Sequence, residues 1–510
     1  MSGQPNILIL MTDQQKASAI RLYSEIGIPT PALERLAMRG VRYDQCYTPH
    51  PLCVPARVSL WTGSYPHRHG ARTNEIAMPP GERHFAHSLR EAGYTLALFG
   101  KDHCFRPADE TLFAHRYVFS HQGPDDTETT AEADVVRWIR SGDPGLEGEA
   151  PGIDPTIYGR PRINPYPSND CPTAILARRA VQFIEAHPPA EPFCAWVSFP
   201  DPHEPYQCPL PYAALHPPEG LTLPPWRDGE ADDAMERTRV FRHLFGSDRL
   251  SEAQLRLTMS IYYGMIRFVD DAVGQILDAL DRRGLAENTI VVFCSDHGDY
   301  AGEHRAAVKS GAFYDCLTRV PLLVSWPGHL PQGTTDTHLV SLLDVLPTCL
   351  GLAGVPVPPG IDGRMLPGTG VDPPRDAVFA EYGAGGPRLR LDDLPRLLAD
   401  PWPGPLPLLR WREAEGHPVM VRMGQYKYIY DPDDETDELY DLAADPWELT
   451  NRARDPAYAT VRGRLRDRLL DWALRAQGGA PAPLYFDPAT GRNAAESFVP
   501  AQFDAERALR

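Results

Sequence analysis

A chain of 510 residues is long enough to bury a large core and to hold one big domain with a smaller one beside it. Its formal charge of −18 argues against nucleic acid or an anionic membrane as a partner, and it obliges any anionic ligand to meet a locally basic pocket. No run approaches the roughly 18 apolar residues of a membrane-spanning helix.

The first residues, Met1-Ser2-Gly3-Gln4-Pro5, carry neither a basic region nor a small-residue cleavage site, which predicts a cytoplasmic protein. They lead into an apolar run, Ile7-Leu8-Ile9-Leu10, that ends in Met11-Thr12-Asp13-Gln14. Next comes Cys53-Val54-Pro55-Ala56-Arg57, with Gly63 six residues on. Pro55 suits a first helical turn, whose free N–H groups favour an anion beside Cys53, and Arg57 at i+4 shares the face of Cys53. A small buried thiol before a helix has the same spelling, so the peptide alone leaves both readings open.

Three more apolar runs end in polar clusters. Tyr94 to Phe99 leads to Gly100-Lys101-Asp102-His103, and Phe193 to Phe199 leads to Asp201-Pro202-His203-Glu204-Pro205. Ile290 to Cys294 leads to Ser295-Asp296-His297-Gly298-Asp299. Continuous apolar character suits strands buried on both faces. Helices are predicted from about Thr173 to Ala186, stopped by Pro188-Pro189, and over Tyr262 to Leu280, closed by Gly284. This alternation predicts an α/β fold: a large mixed, mostly parallel sheet sandwiched by helices, with ligands beyond the carboxyl ends of its strands.

After about residue 375 the texture changes. Val419 to Arg422 and Tyr426 to Tyr430 read as a hairpin turning at Gly424, followed by Glu438 to Leu442 and a helix from about Ala457 to Ala476. The expected division is a catalytic α/β domain over 1–375 and an α+β subdomain with a small antiparallel sheet over 376–510. The nine Cys are odd in number and lack CxxC spacing, so Cys194, Cys294 and most others read as buried reduced thiols.

Asp13 and Asp296 at strand ends are candidate hard oxygen ligands for a divalent cation, with His297 a nitrogen ligand and Gln14 a neutral oxygen. An N-cap for Asp13 and a hydrogen-bonded loop site for His297 are the ordinary alternatives. Lys101 and His103 share a side of an extended chain, and with Arg57, His203 and Lys309 they supply the positive pocket an anion needs. Asn74 is a weaker candidate for a substrate contact, since a turn role explains it as well. Loops 104–170, 204–250 and 380–415 carry no motif and are where specificity is expected, with Trp226, Trp402 and Trp411 as aromatic candidates.

Cys53-x-Pro55-x-Arg57 resembles the signature of the formylglycine-dependent sulfatases, within the alkaline phosphatase superfamily. Asp13, Gly100-Lys101-x-His103, His203-x-Pro205, Asp296-His297-Gly298 and Lys309 match further family positions in order. Leu343-Asp344-Val345-Leu346-Pro347-Thr348 and the tail from Leu439 to Glu448 are also similar. The resemblance implies an alkaline-phosphatase-like sheet and cleavage of a small-molecule sulfate monoester. It implies that Cys53 is converted to formylglycine by a formylglycine-generating enzyme, and that Asp13, Gln14, Cys53, Asp296 and His297 surround one divalent cation, Ca²⁺ by family default. The hydrated aldehyde then attacks sulfur, with Arg57, Lys101 and Lys309 on the sulfate oxygens. His203 or Lys309 protonates the alcohol, and His103 deprotonates the diol to expel sulfate.

Gln14 and His297 depart from the commoner Asp and Asn, and resemble choline-sulfatase-like members and phosphonate or phosphodiester hydrolases of the superfamily. That makes Mn²⁺ a competitor for the site and a phosphonate monoester or phosphodiester hydrolase the alternative activity. Lys101-x-His103 leans back toward sulfatases. A homo-oligomer is left open.

Overall fold

The computed structural model describes residues 4–79, 81–120, 123–124, 161–164, 166–370, 372–386, 388–395, 413, 415–476, 485–487 and 492–494. Its strands, in chain order, begin with β1 (Asn6–Thr12), β2 (Gly40–Tyr47), β3 (Thr95–Gly100), β4 (His115–Ser120) and β5 (Gly123–Pro124). There follow β6 (Arg162–Asn164), β7 (Phe193–Ser198), β8 (Gln207–Pro209), β9 (Thr289–Ser295), β10 (Leu322–Ser325) and β11 (Thr334–Ser341). Next come β12 (Ala377–Glu381), β13 (Val419–Met423), β14 (Tyr426–Tyr430) and β15 (Glu438–Asp441).

The main sheet has the order β11-β2-β10-β9-β1-β7-β3-β4-β5. Its four central strands β9, β1, β7 and β3 are mutually parallel, and β10 runs antiparallel between β9 and β2. Register makes these the site-bearing strands. Thr12 pairs with Ser295, Met11 with Ser198 and Gly100 with Ser198, so all four strands finish at the same level. The four polar clusters that follow them therefore emerge on one edge of the sheet.

The continuous apolar runs are explained by two cores. Leu8, Leu10, Ala195, Val197, Val291 and Phe293 pack on one face, with the helix Glu252–Arg282. Ile7, Ile9, Met11, Trp196, Val292 and Cys294 pack on the other, with helices Cys53–Thr62 and Val345–Leu352. Alternating residues of one strand thus bury into different cores. The helix Glu252–Arg282 begins ten residues before the predicted Tyr262. Its first turns continue the same buried stripe through Leu255, Thr258 and Met259, and they are started by Ser251, whose side chain accepts from Gln254 N.

A second, antiparallel sheet has the order β12-β13-β14-β15 and carries its own apolar cluster with helix Ala459–Ala476. The hairpin turns at Gly424, as its sequence suggests. Lys427 joins this sheet to the main one, because its buried Nζ donates to Phe313 O at 2.8 Å and pairs with Asp315 and Glu448 at 2.6 and 2.7 Å. No helix among the described residues is long and apolar enough to cross a membrane. Of the three loops expected to set specificity, only 204–250 is wholly described, and Trp402 and Trp411 lie outside the described residues.

Candidate active site

Helix Cys53–Thr62 is buried on every side, and Gly63 closes it in the left-handed conformation at φ 66°. Leu52 at its start has no side chain able to cap it, so the role falls to Asn74, whose Oδ1 accepts from Val54 N at 3.1 Å. Glu413 holds Asn74 in turn, accepting from its Nδ2 at 2.7 Å and its backbone N at 3.1 Å. Burial pushes the Glu413 carboxyl up to about 7. Both ends of the Asn74 amide are therefore occupied by the protein, which is the turn-and-cap role rather than a contact left open for substrate.

The Cys53 thiol lies 3.2 Å from His297 Nε2 and 3.6 Å from Asp13 Oδ1. Ligand atoms of Asp13, Cys53, Asp296 and His297 all fall within 4.8 Å of one another, and all four side chains are buried. His297 Nδ1 faces Gly298 O at 3.0 Å; a carbonyl only accepts, so the proton sits on Nδ1 and Nε2 presents its lone pair to the cluster. Burial also lowers the His297 pKa, which keeps the ring neutral. Gly298 has no substitute here, since a Cβ would stand 1.9 Å from Cys316 O. Burial opposes the charge on Asp13, but the Lys101 and Arg57 cations outweigh it and hold that carboxyl well below its usual range. Two carboxylates and a neutral imidazole converging in a water-excluded spot fit one divalent cation.

Arg57 is wholly buried and organises the same spot. Its Nε donates to Asp296 Oδ2 at 2.8 Å, while Nη1 donates to Ser198 Oγ at 2.7 Å and Lys101 O at 2.8 Å. Burial disfavours its charge, yet Asp296 and Asp13 raise its pKa above the ordinary arginine value. Its Nη2 lies 3.6 Å from Asp13 Oδ2 and has no hydrogen-bond partner in the protein, a buried donor left for an incoming oxygen. Lys101 Nζ pairs with Asp13 Oδ2. Gly100, at φ 107°, lets this turn pass, because a Cβ there would stand 2.0 Å from Ser198 O.

Lys309 Nζ reaches the other side of the cluster, 2.6 Å from His203 Nε2 and 2.7 Å from Gln14 Oε1. His203 Nδ1 faces Glu204 O at 2.5 Å, so its proton sits there and Nε2 accepts from the lysine. His103 lies on the Lys101 loop with φ 58°, and burial, Lys101 and Arg57 lower its pKa far enough to keep it neutral. Gln14 stands next to the metal cluster, but its Oε1 accepts from Lys309 and its Nε2 lies 2.5 Å from both Glu204 and Asp299. The oxygen expected at the cation therefore faces a lysine in this arrangement.

Glu204, Asp299 and Tyr206 form a buried shell that the sequence does not single out. Tyr206 donates to Asp299 Oδ2 at 2.8 Å and accepts from Val308 N at 2.7 Å, one residue before Lys309. Burial pushes Asp299 up to about 6. A signal is present, since Glu204 and Asp299 belong to the strand-end clusters, yet nothing in their spacing distinguishes a holder from a ligand. The two remaining family-like motifs are structural. Asp344 accepts from Arg375 Nε at 2.8 Å and Arg364 N at 2.8 Å, and Glu448 holds Lys427 and the backbone of Asp315.

Comparison with known proteins places these residues among relatives. A family pattern described as Sulfatase matches residues 5–355. The chain is 30% identical over 503 residues to the choline-sulfatase of Rhizobium meliloti (strain 1021), covering 93% of this chain and 88% of that one. It is 29% identical over 490 residues to the uncharacterized sulfatase YidJ of Escherichia coli (strain K12), covering 92% and 87%. Among solved structures, the phosphonate monoester hydrolase of Agrobacterium radiobacter superposes with a TM-score of 0.74 at 25% identity, over 95% of this chain and 99% of that one.

Proposed function

The chain belongs to the sulfatase family, and from that premise we propose that it hydrolyses a small-molecule sulfate monoester with a nucleophile made from Cys53. The observation that carries the reading is the meeting of Cys53 with Asp13, Asp296 and His297 inside a ring of buried cations. We assign the metal as one divalent cation held by these three residues, Ca²⁺ by family default with Mn²⁺ as its competitor. Cys53 would be matured to formylglycine by a formylglycine-generating enzyme. When bound and matured, the cation supplies Lewis acidity and the oxidised side chain supplies the attacking hydroxyl.

The protein's own groups do the rest. Arg57 is fixed by three bonds and turns its remaining Nη2 toward the cluster, so it meets a sulfate oxygen without reorganising. Lys101 and Lys309 flank it with positive charge inside an acidic protein. Lys309 and His203 are hydrogen-bonded at 2.6 Å, which supports a role for the pair in handing a proton to the departing alcohol. His103, kept neutral by burial, Lys101 and Arg57, would accept one in this reading. Residence in the cytoplasm belongs to the same proposal and is supported by nine cysteines that are all free and buried.

A second reading, hydrolysis of a phosphonate monoester or phosphodiester, is favoured by Gln14 and by the likeness to the Agrobacterium enzyme. One metallated sample assayed with nitrophenyl sulfate and with a phenylphosphonate monoester decides between them. Faster sulfate turnover is expected; a larger kcat/KM for the phosphonate would overturn the assignment.

A further inference from the structure

Among the described residues a second group of side chains has the geometry of a metal site, and it lies outside the cluster at Cys53. Ligand atoms of His84, His87 and Asp109 all lie within 4.8 Å of one another. His84 precedes helix Phe85–Glu91 and His87 sits in its first turn, so the His-x-x-His spacing brings both rings together, with centroids 4.1 Å apart. Asp109 comes from the short helix Pro107–Glu110. His84 is 2% exposed, and neither of its ring nitrogens has a hydrogen-bond partner in the protein. Asp109 Oδ1 stands 3.5 Å from Nε2, an ion-pair separation too long for a good hydrogen bond. A buried imidazole held only by this long contact to a carboxylate, beside a second imidazole, is under-satisfied for its burial.

We propose that His84, His87 and Asp109 bind a divalent transition metal, Zn²⁺ in the first instance. Two imidazoles and one carboxylate are a borderline donor set that suits zinc better than calcium. His87 and Asp109 are half-buried, so water can complete a tetrahedral fourth position. The small closure from the observed spread to bonding distance is a side-chain adjustment.

The location gives the site a consequence. The chain from Lys101 to Asp109 carries Lys101 and His103 at one end, with Asp102 Oδ1 accepting from Cys104 N and Phe105 N at 2.9 Å. A metal would pin the other end to helix Phe85–Glu91, fixing the loop that positions two groups of the candidate active site. The inference does not depend on what Cys53 attacks.

Crystals of the full chain grown with ZnCl₂ and measured on both sides of the zinc absorption edge should show an anomalous peak between these three residues. In solution, His87→Ala should bind about one zinc fewer per chain than the parent protein. Part of the zinc-induced rise in Tm should disappear with it. Asp109→Asn, which keeps the residue's size, gives the same readouts if His87→Ala fails to fold. No anomalous peak there, or unchanged zinc stoichiometry in a folded variant, overturns the proposal, whatever the Cys53 site contains.

Discussion

Arg57 Nε and Asp296 Oδ2 are 2.8 Å apart although 239 residues of chain separate them, and neither side chain is exposed at all. The pair ties the helix that carries Cys53 to the strand end that carries His297. Three of the guanidinium's bonds have fixed directions, so its geometry matters beyond its charge. Arg57→Lys keeps the charge and loses the fork. A fall in kcat/KM for nitrophenyl sulfate on the order of 10²-fold is expected, and a variant with parental activity would show that Arg57 is only packing.

Cys53→Ser should abolish multiple turnover, because a seryl sulfate has no second hydroxyl from which to expel sulfate. In a host with the modifying enzyme, the peptide containing Cys53 should lose roughly 18 Da, the difference between thiol and aldehyde. An unmodified peptide together with an active enzyme would refute the formylglycine reading.

Chelation should remove activity reversibly, with the protein remaining folded. Asp13 would then rest on Lys101 and Arg57, and Asp296 on Arg57, as they do in the structure. Restoration by Ca²⁺ and by Mn²⁺, measured as kcat on one chelated batch, identifies the preferred ion; full activity in the chelated sample would rule out the cation role.

Glu381, at the end of β12, accepts from His67 N and Nδ1 at 2.9 and 2.8 Å and lies 3.5 Å from Arg72. Burial would raise its pKa from 4.5, but Arg72 and His67 lower it to about 2. A depressed carboxyl binds its proton more weakly when folded, so its stabilisation is present above pH 4.5 and is lost as pH falls through about 2. Glu381→Gln should lower stability at neutral pH by about 3 kcal/mol, as loss of one partner in a buried pair does. Its melting curves should also depend less on pH in that acid window; an equal acid dependence would contradict the assignment.

Asn74→Ala removes the oxygen that accepts from Val54 N and leaves Glu413 with fewer donors. Denaturant melts should show a loss of about 1 kcal/mol, the usual worth of a helix N-terminal cap. A KM change without any stability change would return Asn74 to the role of a substrate contact.

Much of this site is legible in the residues because short local patterns encode it. Apolar runs ending in Asp13, Lys101, His203 and Asp296 announce strand ends, since a strand buried on both faces can carry polar groups only where it stops. Register is not legible in the same way. The pairings Thr12 to Ser295 and Gly100 to Ser198 bring those ends level, and they arise from hydrogen bonds between segments far apart in the chain. The turns before Tyr262 carry the stripe on through Leu255, Thr258 and Met259 to the capping box at Ser251 and Gln254, so local periodicity and the cap both place the helix start earlier than Tyr262.

The sequence alone determined the family, the α/β class and the identity of most groups at the site, because each rests on residue type and on spacing within a few positions. Only the tertiary structure decided what those groups do for one another. It turned Asn74 to the helix start, faced the Gln14 oxygen to Lys309, enlisted Glu204, Asp299 and Tyr206 as holders, and set His84 beside Asp109. The physical reason is that a side chain's partner is chosen by distance and direction in space, and burial makes that choice costly to leave unmet.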